Sequence, residues 1–315
     1  MSQLRDLTVA SVNPDMHDGE RMDALRLAAL LVTLALSPAP AYSAQAEPAA
    51  YGGTGTWVDR YDFARLGDPA LAVAEMAGHG TRTLYVETAS WRVPSRVDIV
   101  APAQTEGLIA AAHAAGMKVV AWYLPSFKDL RTDMRRVRAA LALRTPDGQS
   151  FDSFALDIEA NEVNPVSRRN AALLRLSRMI RNEVGPDYPL GAIVPDQLST
   201  SSGNVLWPGL PYAATAKYYD VFLPMAYSTL DRARGAAGVY RYTAANVRFV
   251  RRATGKPVHV IGGLTDAMTR SEQLAVARAA RDAGAVGTSL YKFPLYDSGS
   301  WAALSSFVTK VPGTS

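Results

Sequence analysis

The chain contains no cysteine. That excludes disulfide frameworks, thiol nucleophiles, lipidated cysteine anchors and cysteine-based zinc sites. Histidine is scarce, with four in 315 residues. None forms a His-x-His or His-Glu-x-x-His pattern, so metal-dependent amidohydrolases and zinc peptidases have no ligand set, and no metal or other cofactor is expected. His79, His113 and His259 are read as core or capping residues. No Gly-x-Gly-x-x-Gly or phosphate-binding loop opens a helix, which argues against a nucleotide-binding open sheet. No Gly-x-Ser-x-Gly elbow is present. The net charge of +4 is modest. It includes no basic tract interleaved with aromatics, so no nucleic-acid partner is expected. Arg135, Arg136 and Arg138, like Arg248, Arg251 and Arg252, are read as solvated helix faces. The longest apolar run, residues 27–36, is about half of the ~20 residues that span a bilayer.

That short run has its own meaning. Residues 1–21 are polar and aperiodic. Met22 then opens Met-Asp-Ala-Leu-Arg, the apolar run follows, and Ser37-Pro38-Ala39-Pro40 ends it. Ala41-Tyr42-Ser43 and Ala44-Gln45-Ala46 both fit small-x-small cleavage sites. The pattern predicts a secretory signal peptide in residues 1–46, with Met22 as an alternative start and a mature, secreted chain from about Glu47. An uncleaved anchor is the alternative; after cleavage no integral membrane segment remains.

From residue 47 to 315 the chain alternates short apolar runs with helix-spaced segments. Strands are expected at 56–61, 83–87, 118–124, 151–159, 189–195, 220–227, 257–262 and 287–293. Helices are expected at 69–77, 104–115, 130–143, 165–184, 243–254, 271–283 and 301–308, and 199–211 reads as a polar loop. Eight such units over this length predict a single α/β domain, a (β/α)8 TIM barrel, whose runs are apolar because parallel strands are buried on both faces.

In such barrels the active site lies where the strands end. The fourth run, Phe-Asp-Ser-Phe-Ala-Leu-Asp-Ile-Glu from Phe151 to Glu159, is the most informative. Side chains alternate along a strand, so Asp157 and Glu159 face one way, with Cα atoms roughly 6–7 Å apart. Two carboxylates on one face repel, which raises the pKa of one and suits acid/base chemistry. Other strand ends add Asp59, Asp62 and Tyr61, then Glu87, Trp122 and Tyr123, Asp196 and Gln197, Met225 and Tyr227, Gly263 and Asp266, and Tyr291 and Lys292. Trp91 and Trp207 lie in loops that could lengthen the cleft. Acids bind hydroxyls and flat rings stack on pyranose faces, so a carbohydrate is the expected partner. Glycoside hydrolysis needs a protonated acid and a second group opposite it. Glu159 is assigned as the acid and Asp157 as its partner, with Glu87, Asp196 or Asp59 as a second carboxylate. Tyr227, Trp122, Tyr291, Lys292 and Met225 complete the substrate-binding set. Lys292 is expected to pair with an acid of the ring; a Schiff-base role is the rival.

The stretch from Phe151 to Glu159 also resembles the fourth-strand signature of family 18 glycoside hydrolases, the chitinases and their relatives. The resemblance puts Glu159 at the general acid and Asp157 at the aspartate that orients the substrate's acetamido group. Met225-Ala226-Tyr227 resembles that family's Met-x-Tyr at the end of the sixth strand, which implies that Tyr227 contacts the same group. Departures from the pattern are Ala155 for the signature's first acid, Ser153 for its glycine, Ser228 for the Asp that follows the tyrosine, and Tyr291 for a tryptophan. The resemblance thus implies a divergent, chitinase-like barrel hydrolase. The missing acids motivate the alternative, a non-catalytic, lectin-like barrel. Asn161-Glu162 resembles the Asn-Glu pair of another barrel glycosidase group, but 261–264 lacks the seventh-strand Glu that group needs.

Overall fold

A computed structural model describes residues 49–196, 198, 206–230 and 233–307. The expected signal segment, Gln197 and the end of the last expected helix lie outside the described residues. Eight strands form one closed, all-parallel barrel in sequence order. They are β1 Gly53–Val58, β2 Thr83–Ser90, β3 Lys118–Leu124, β4 Ser153–Asp157, β5 Leu190–Pro195, β6 Val221–Met225, β7 His259–Leu264 and β8 Gly287–Tyr291. Each is followed by a helix: α1 Pro69–Gly78, α2 Pro102–Ala114, α3 Leu130–Ala142, α4 Val166–Val184, α5 Tyr212–Thr215, α6 Gly235–Thr254, α7 Arg270–Asp282 and α8 Ser298–Ser305. The chain therefore has the (β/α)8 fold expected of it.

Strand periodicity sorts the side chains into two cores. Outward residues such as Val86, Phe154, Leu156, Val194, Phe222 and Leu290 join the helices in one apolar layer. Inward residues, among them Tyr51, Trp57, Tyr85, Trp122, Ile193 and Leu223, fill the barrel. The lower interior is a satisfied polar layer. The Tyr51 hydroxyl lies 2.6 Å from Ser153 Oγ. Burial pushes the His259 pKa down to about 4, so the ring is neutral and carries one N–H. Nδ1, 2.9 Å from the Tyr51 carbonyl, donates. Nε2, 3.0 Å from Ser289 Oγ, accepts. Trp57 Nε1 donates to the same Ser289 oxygen at 2.8 Å. The other two histidines among the described residues also have structural partners. His113 contacts Gln149 and Asp152 at 2.8 Å each, and His79 stacks on Trp301.

The buried rings need glycine opposite them. A Cβ on Gly191 would stand 2.6 Å from Tyr51 Oη, and one on Gly55 would stand 2.6 Å from Tyr85 Cε2. Neither ring has room to move, so Gly191→Ala is expected to lose about 2 kcal/mol of stability by overpacking. Denaturant unfolding measures this, and an unchanged midpoint would contradict the packing described.

Some element boundaries differ from expectation. β1 begins at Gly53 rather than 56, because Gly53 and Gly55 read as breakers although Gly55 makes room for Tyr85. α6 begins eight residues early, at Gly235, its first turns diluted by two glycines. α8 begins at Ser298 behind a reciprocal cap between Asp297 and Ser300. The turn of helix α5 lies in a stretch where none was expected. Trp207 does not lengthen the cleft. It is fully buried, edge-on to Phe127, and its Nε1 donates to Asn170 Oδ1 at 2.7 Å.

Candidate active site

The apolar residues of β4 determine where its acids point. Phe154, Leu156 and Ile158 are buried against the helices, which leaves Ala155 and Asp157 facing the barrel interior. The Ile158 N–H donates to the Ile193 carbonyl at 2.8 Å, so strand pairing continues past Asp157. Glu159 takes the next inward position. Both carboxyl groups line a cleft of about 150 Å³ at the C-terminal end of the barrel. Asp59, Glu87, Trp122, Met225, Tyr227 and Tyr291 line it too. The larger surface depressions lie among the outer helices and loops, away from these acids.

Of the residues assigned to acid or substrate-binding roles, Asp196 and Lys292 stand outside that lining, as do the strand-end residues Asp62, Tyr123, Gly263 and Asp266 and the loop residue Trp91. Asp196 is held at the end of β5, where its carboxylate accepts from the Leu198 N–H at 2.6 Å and from the Tyr242 hydroxyl. Lys292 lies behind the cleft, where Nζ donates to Asp59 Oδ2 at 2.5 Å and to Asp62 Oδ1 at 2.8 Å. Burial depresses its pKa, but the two carboxylates outweigh burial and raise it above the ordinary lysine value. A charged, twice-paired ammonium is a poor Schiff-base nucleophile, so Lys292 serves to neutralise acids, as expected of it.

The acids differ in protonation, and the cause is local in each case. Burial raises Asp59, but hydrogen bonds from Lys292 and Tyr291 outweigh it and hold the pKa below the ordinary value. The Tyr291 hydroxyl donates to Asp59 Oδ2 at 2.7 Å. At Asp62 burial prevails over the same lysine and the pKa is raised. Glu87 is pushed up to about 7 by burial, against the Arg60 N–H that donates to Oε2 at 2.9 Å. Asp157 is raised well above the ordinary value by burial, then by Glu159 and Glu87, and its Oδ1 is buried without a hydrogen-bond partner. Glu159 is raised by burial, with Arg92 opposing. The Tyr227 phenol is raised by burial and by Asp157 and Glu159 beside it. Burial thus favours the protonated form at Asp157 and Glu159, while Lys292 and Tyr291 favour the ionised form at Asp59. Such a set can donate a proton to a bound oxygen while another acid stays charged.

Glu87 yields a stability prediction. Its folded pKa exceeds the ordinary 4.5, so the folded state binds the proton more tightly than the unfolded chain. Stability then falls as pH rises from about 4.5 to 7. At about pH 8 Glu87→Gln is expected to be more stable than wild type by about 3 kcal/mol, and equal to it near pH 4. Thermal unfolding at both pH values measures the difference; equal stabilisation at both would contradict the buried-acid account.

Trp57, Arg60 and Arg92 also line the cleft and were not singled out in the sequence. Trp57 is two residues before Asp59 and shares its face, a relation that the expected strand at 56–61 already contains. Arg92 follows β2 by two residues. Its position in a strand-end loop was the only available signal. Among the described residues no group of three or more His, Asp and Glu is placed to hold a metal ion, and no helix is long and apolar enough to cross a membrane.

No known family profile matches the chain, and no curated protein does. Solved structures do. An endo-β-1,4-mannanase from Thermotoga petrophila superposes with a TM-score of 0.59 at 11% identity, covering 83% of this chain and 77% of its own. The spore cortex-lytic enzyme SleL of Bacillus cereus gives 0.60 at 10%, covering 82% and 75%. A family 18 chitinase from Cycas revoluta gives 0.57 at 12%, covering 80% and 98%. At these identities the likeness is one of fold, a barrel shared with enzymes so described.

Proposed function

We propose that this chain is a secreted glycoside hydrolase that cleaves a polysaccharide or peptidoglycan-like glycan, with Glu159 as the general acid and Asp157 as its partner. The observation that carries this is the pair itself: two carboxyls two residues apart, both turned into one aromatic-lined cleft and both raised above their ordinary pKa by burial. In this reading Glu159 gives its proton to the glycosidic oxygen as the bond from that oxygen to the anomeric carbon breaks. Positive charge develops on the sugar, and the carboxylate of Asp59 and the ionising Glu87 lie in the same cleft to stabilise it. Water then adds to the anomeric carbon, and its proton returns to Glu159. By the family resemblance, Asp157 and Tyr227 hold an acetamido group at that sugar. Trp122, Tyr291 and Met225 offer the apolar surface on which a pyranose ring rests. Export follows from the signal-peptide pattern of residues 1–46.

One observation favours a second reading, a lectin-like barrel. Ala155 pairs in register with Trp122 inside the barrel, so the place of the signature's first acid is filled by apolar packing and Asp157 has no acid below it on its strand. The two readings separate in one assay, release of new reducing ends from a panel of neutral and acidic glycans. Hydrolysis predicts release on at least one member. Saturable binding without release, even on long incubation, would overturn the hydrolase reading.

A further inference from the structure

Counted by residue type, the cleft looks acidic, but part of that charge is answered within it, and Glu87, pushed up to about 7 by burial, is only partly ionised near neutral pH. The negative charge of Asp59 is met by Lys292. Asp157 and Glu159 are buried carboxyls raised above their ordinary values by desolvation. Two guanidinium groups remain without a carboxylate partner. Arg92, in the loop after β2, is exposed and lines the cleft close enough to act on both Asp157 and Glu159. Arg60 follows β1 and lies 4.2 Å from the ring centre of Tyr61, which is 63% exposed at the same rim. Among the described residues neither arginine forms an ion pair, whereas Arg135, Arg138 and Arg181 elsewhere on the surface pair with Asp98, Glu183 and Asp220.

We propose that the cleft takes a glycan chain bearing carboxylate groups, and that Arg92 is the group that reads their charge. This rests on the glycan reading above and adds the substrate class. An arginine fork matches a carboxylate in two parallel hydrogen bonds, which a neutral sugar hydroxyl cannot supply. Such a carboxylate meets attraction from two cations of the lining, with Asp59 already held by Lys292. Arg60 and the exposed face of Tyr61 continue the same surface outward, where the next sugar of the chain would lie.

The substrate's carboxylate could be the lactyl ether of a muramic acid or the C6 acid of a uronic sugar, and the test separates them. Three tetrasaccharides are titrated against the Glu159→Gln chain, which is expected to consume them too slowly to disturb the titration. These are chitotetraose, an alternating N-acetylglucosamine–N-acetylmuramic acid tetramer, and a hyaluronan tetramer. One acidic tetramer is expected to bind about tenfold or more tighter than chitotetraose, the size of one charge-assisted contact. Adding Arg92→Gln is expected to erase the preference, and Arg92→Lys to keep part of it. Chitotetraose binding as tightly as both acidic tetramers would overturn the proposal. A preference that survives Arg92→Gln would also overturn it, as would Arg92→Gln shifting the pH profile on all substrates alike, because Arg92 would then act only on Glu159. The two readings fail separately. A wild-type chain that prefers an acidic tetramer but cleaves none removes the hydrolase reading alone. One that cleaves chitotetraose as fast as the acidic tetramers removes this proposal alone.

Discussion

If Glu159 is the general acid proposed above, Glu159→Gln is expected to lower kcat on an unactivated glycan by about 10³-fold, with KM nearly unchanged. General acid catalysis contributes about 10²–10⁴ in rate, and the glutamine keeps the shape of the acid while losing its proton. Because burial raises the Glu159 pKa and favours its protonated form, the neutral glutamine resembles the resting acid, so substrate binding is retained. The loss depends on the leaving group. A natural sugar alcohol needs protonation as it departs; an aryl group that leaves as a stable phenolate does not. The variant is therefore expected to keep far more of its activity on a dinitrophenyl glycoside than on the glycan. Parallel kcat values on the two substrates check this. Equal losses on both would mean that Glu159 does something other than protonate the leaving oxygen. Unchanged circular dichroism and melting temperature are expected, since the carboxyl lies just beyond the end of β4 at the cleft.

Lys292→Met destabilises the fold by about 3 kcal/mol or more. Its ammonium serves Asp59 and Asp62 at once, and both carboxylates are nearly inaccessible. Removing one partner of a buried ionic group leaves uncompensated charge, which costs about 3–5 kcal/mol, much more than the pair itself is worth. The pH dependence carries the same information. Asp59 has its pKa lowered by Lys292 and Tyr291, so its contribution to stability is present above the unfolded value and lost as pH falls through the folded one. In Lys292→Met that contribution is gone, and the deficit relative to wild type shrinks toward acid pH, where Asp59 is protonated in both. Adding Asp59→Asn to the methionine variant removes the stranded charge and recovers part of the loss. Urea midpoints of wild type, single and double variants at neutral and acid pH measure the cycle. A single variant as stable as wild type would show that the acids do not depend on this lysine.

The barrel was legible because each strand is a short apolar run and each helix carries its own stop signal. The direction of Asp157 and Glu159 was legible for the same reason: Phe154, Leu156 and Ile158 must be buried, and alternation fixes the rest. What alternation does not supply is the partner of a side chain. Asp196 ends its strand like Asp59 does, yet it is taken by the Leu198 N–H and Tyr242, a residue on a helix 46 positions away. Trp207 was read with the cleft because loops at that end often line it, but Asn170 and Phe127 draw it into the core. Arg60 falls inside the expected strand 56–61, on the face opposite Asp59, and Arg92 follows the second strand in a loop, so alternation assigns neither to the cleft, and their significance depends on which acids are ionised. That in turn depends on burial, which no local pattern encodes. The neutral His259 shows the same limit from the other side: its type admits catalysis, and only the closed network of Tyr51, Ser289 and Trp57 reveals a structural ring.

The most direct test of the account is to incubate the chain with the glycan panel in water enriched in heavy oxygen and weigh the products. Hydrolysis puts one solvent oxygen at each cleaved bond, so wild type is expected to yield shortened chains carrying the label and Glu159→Gln to yield almost none. Intact glycans recovered from a saturably bound complex, or shortened chains without the label, would contradict it.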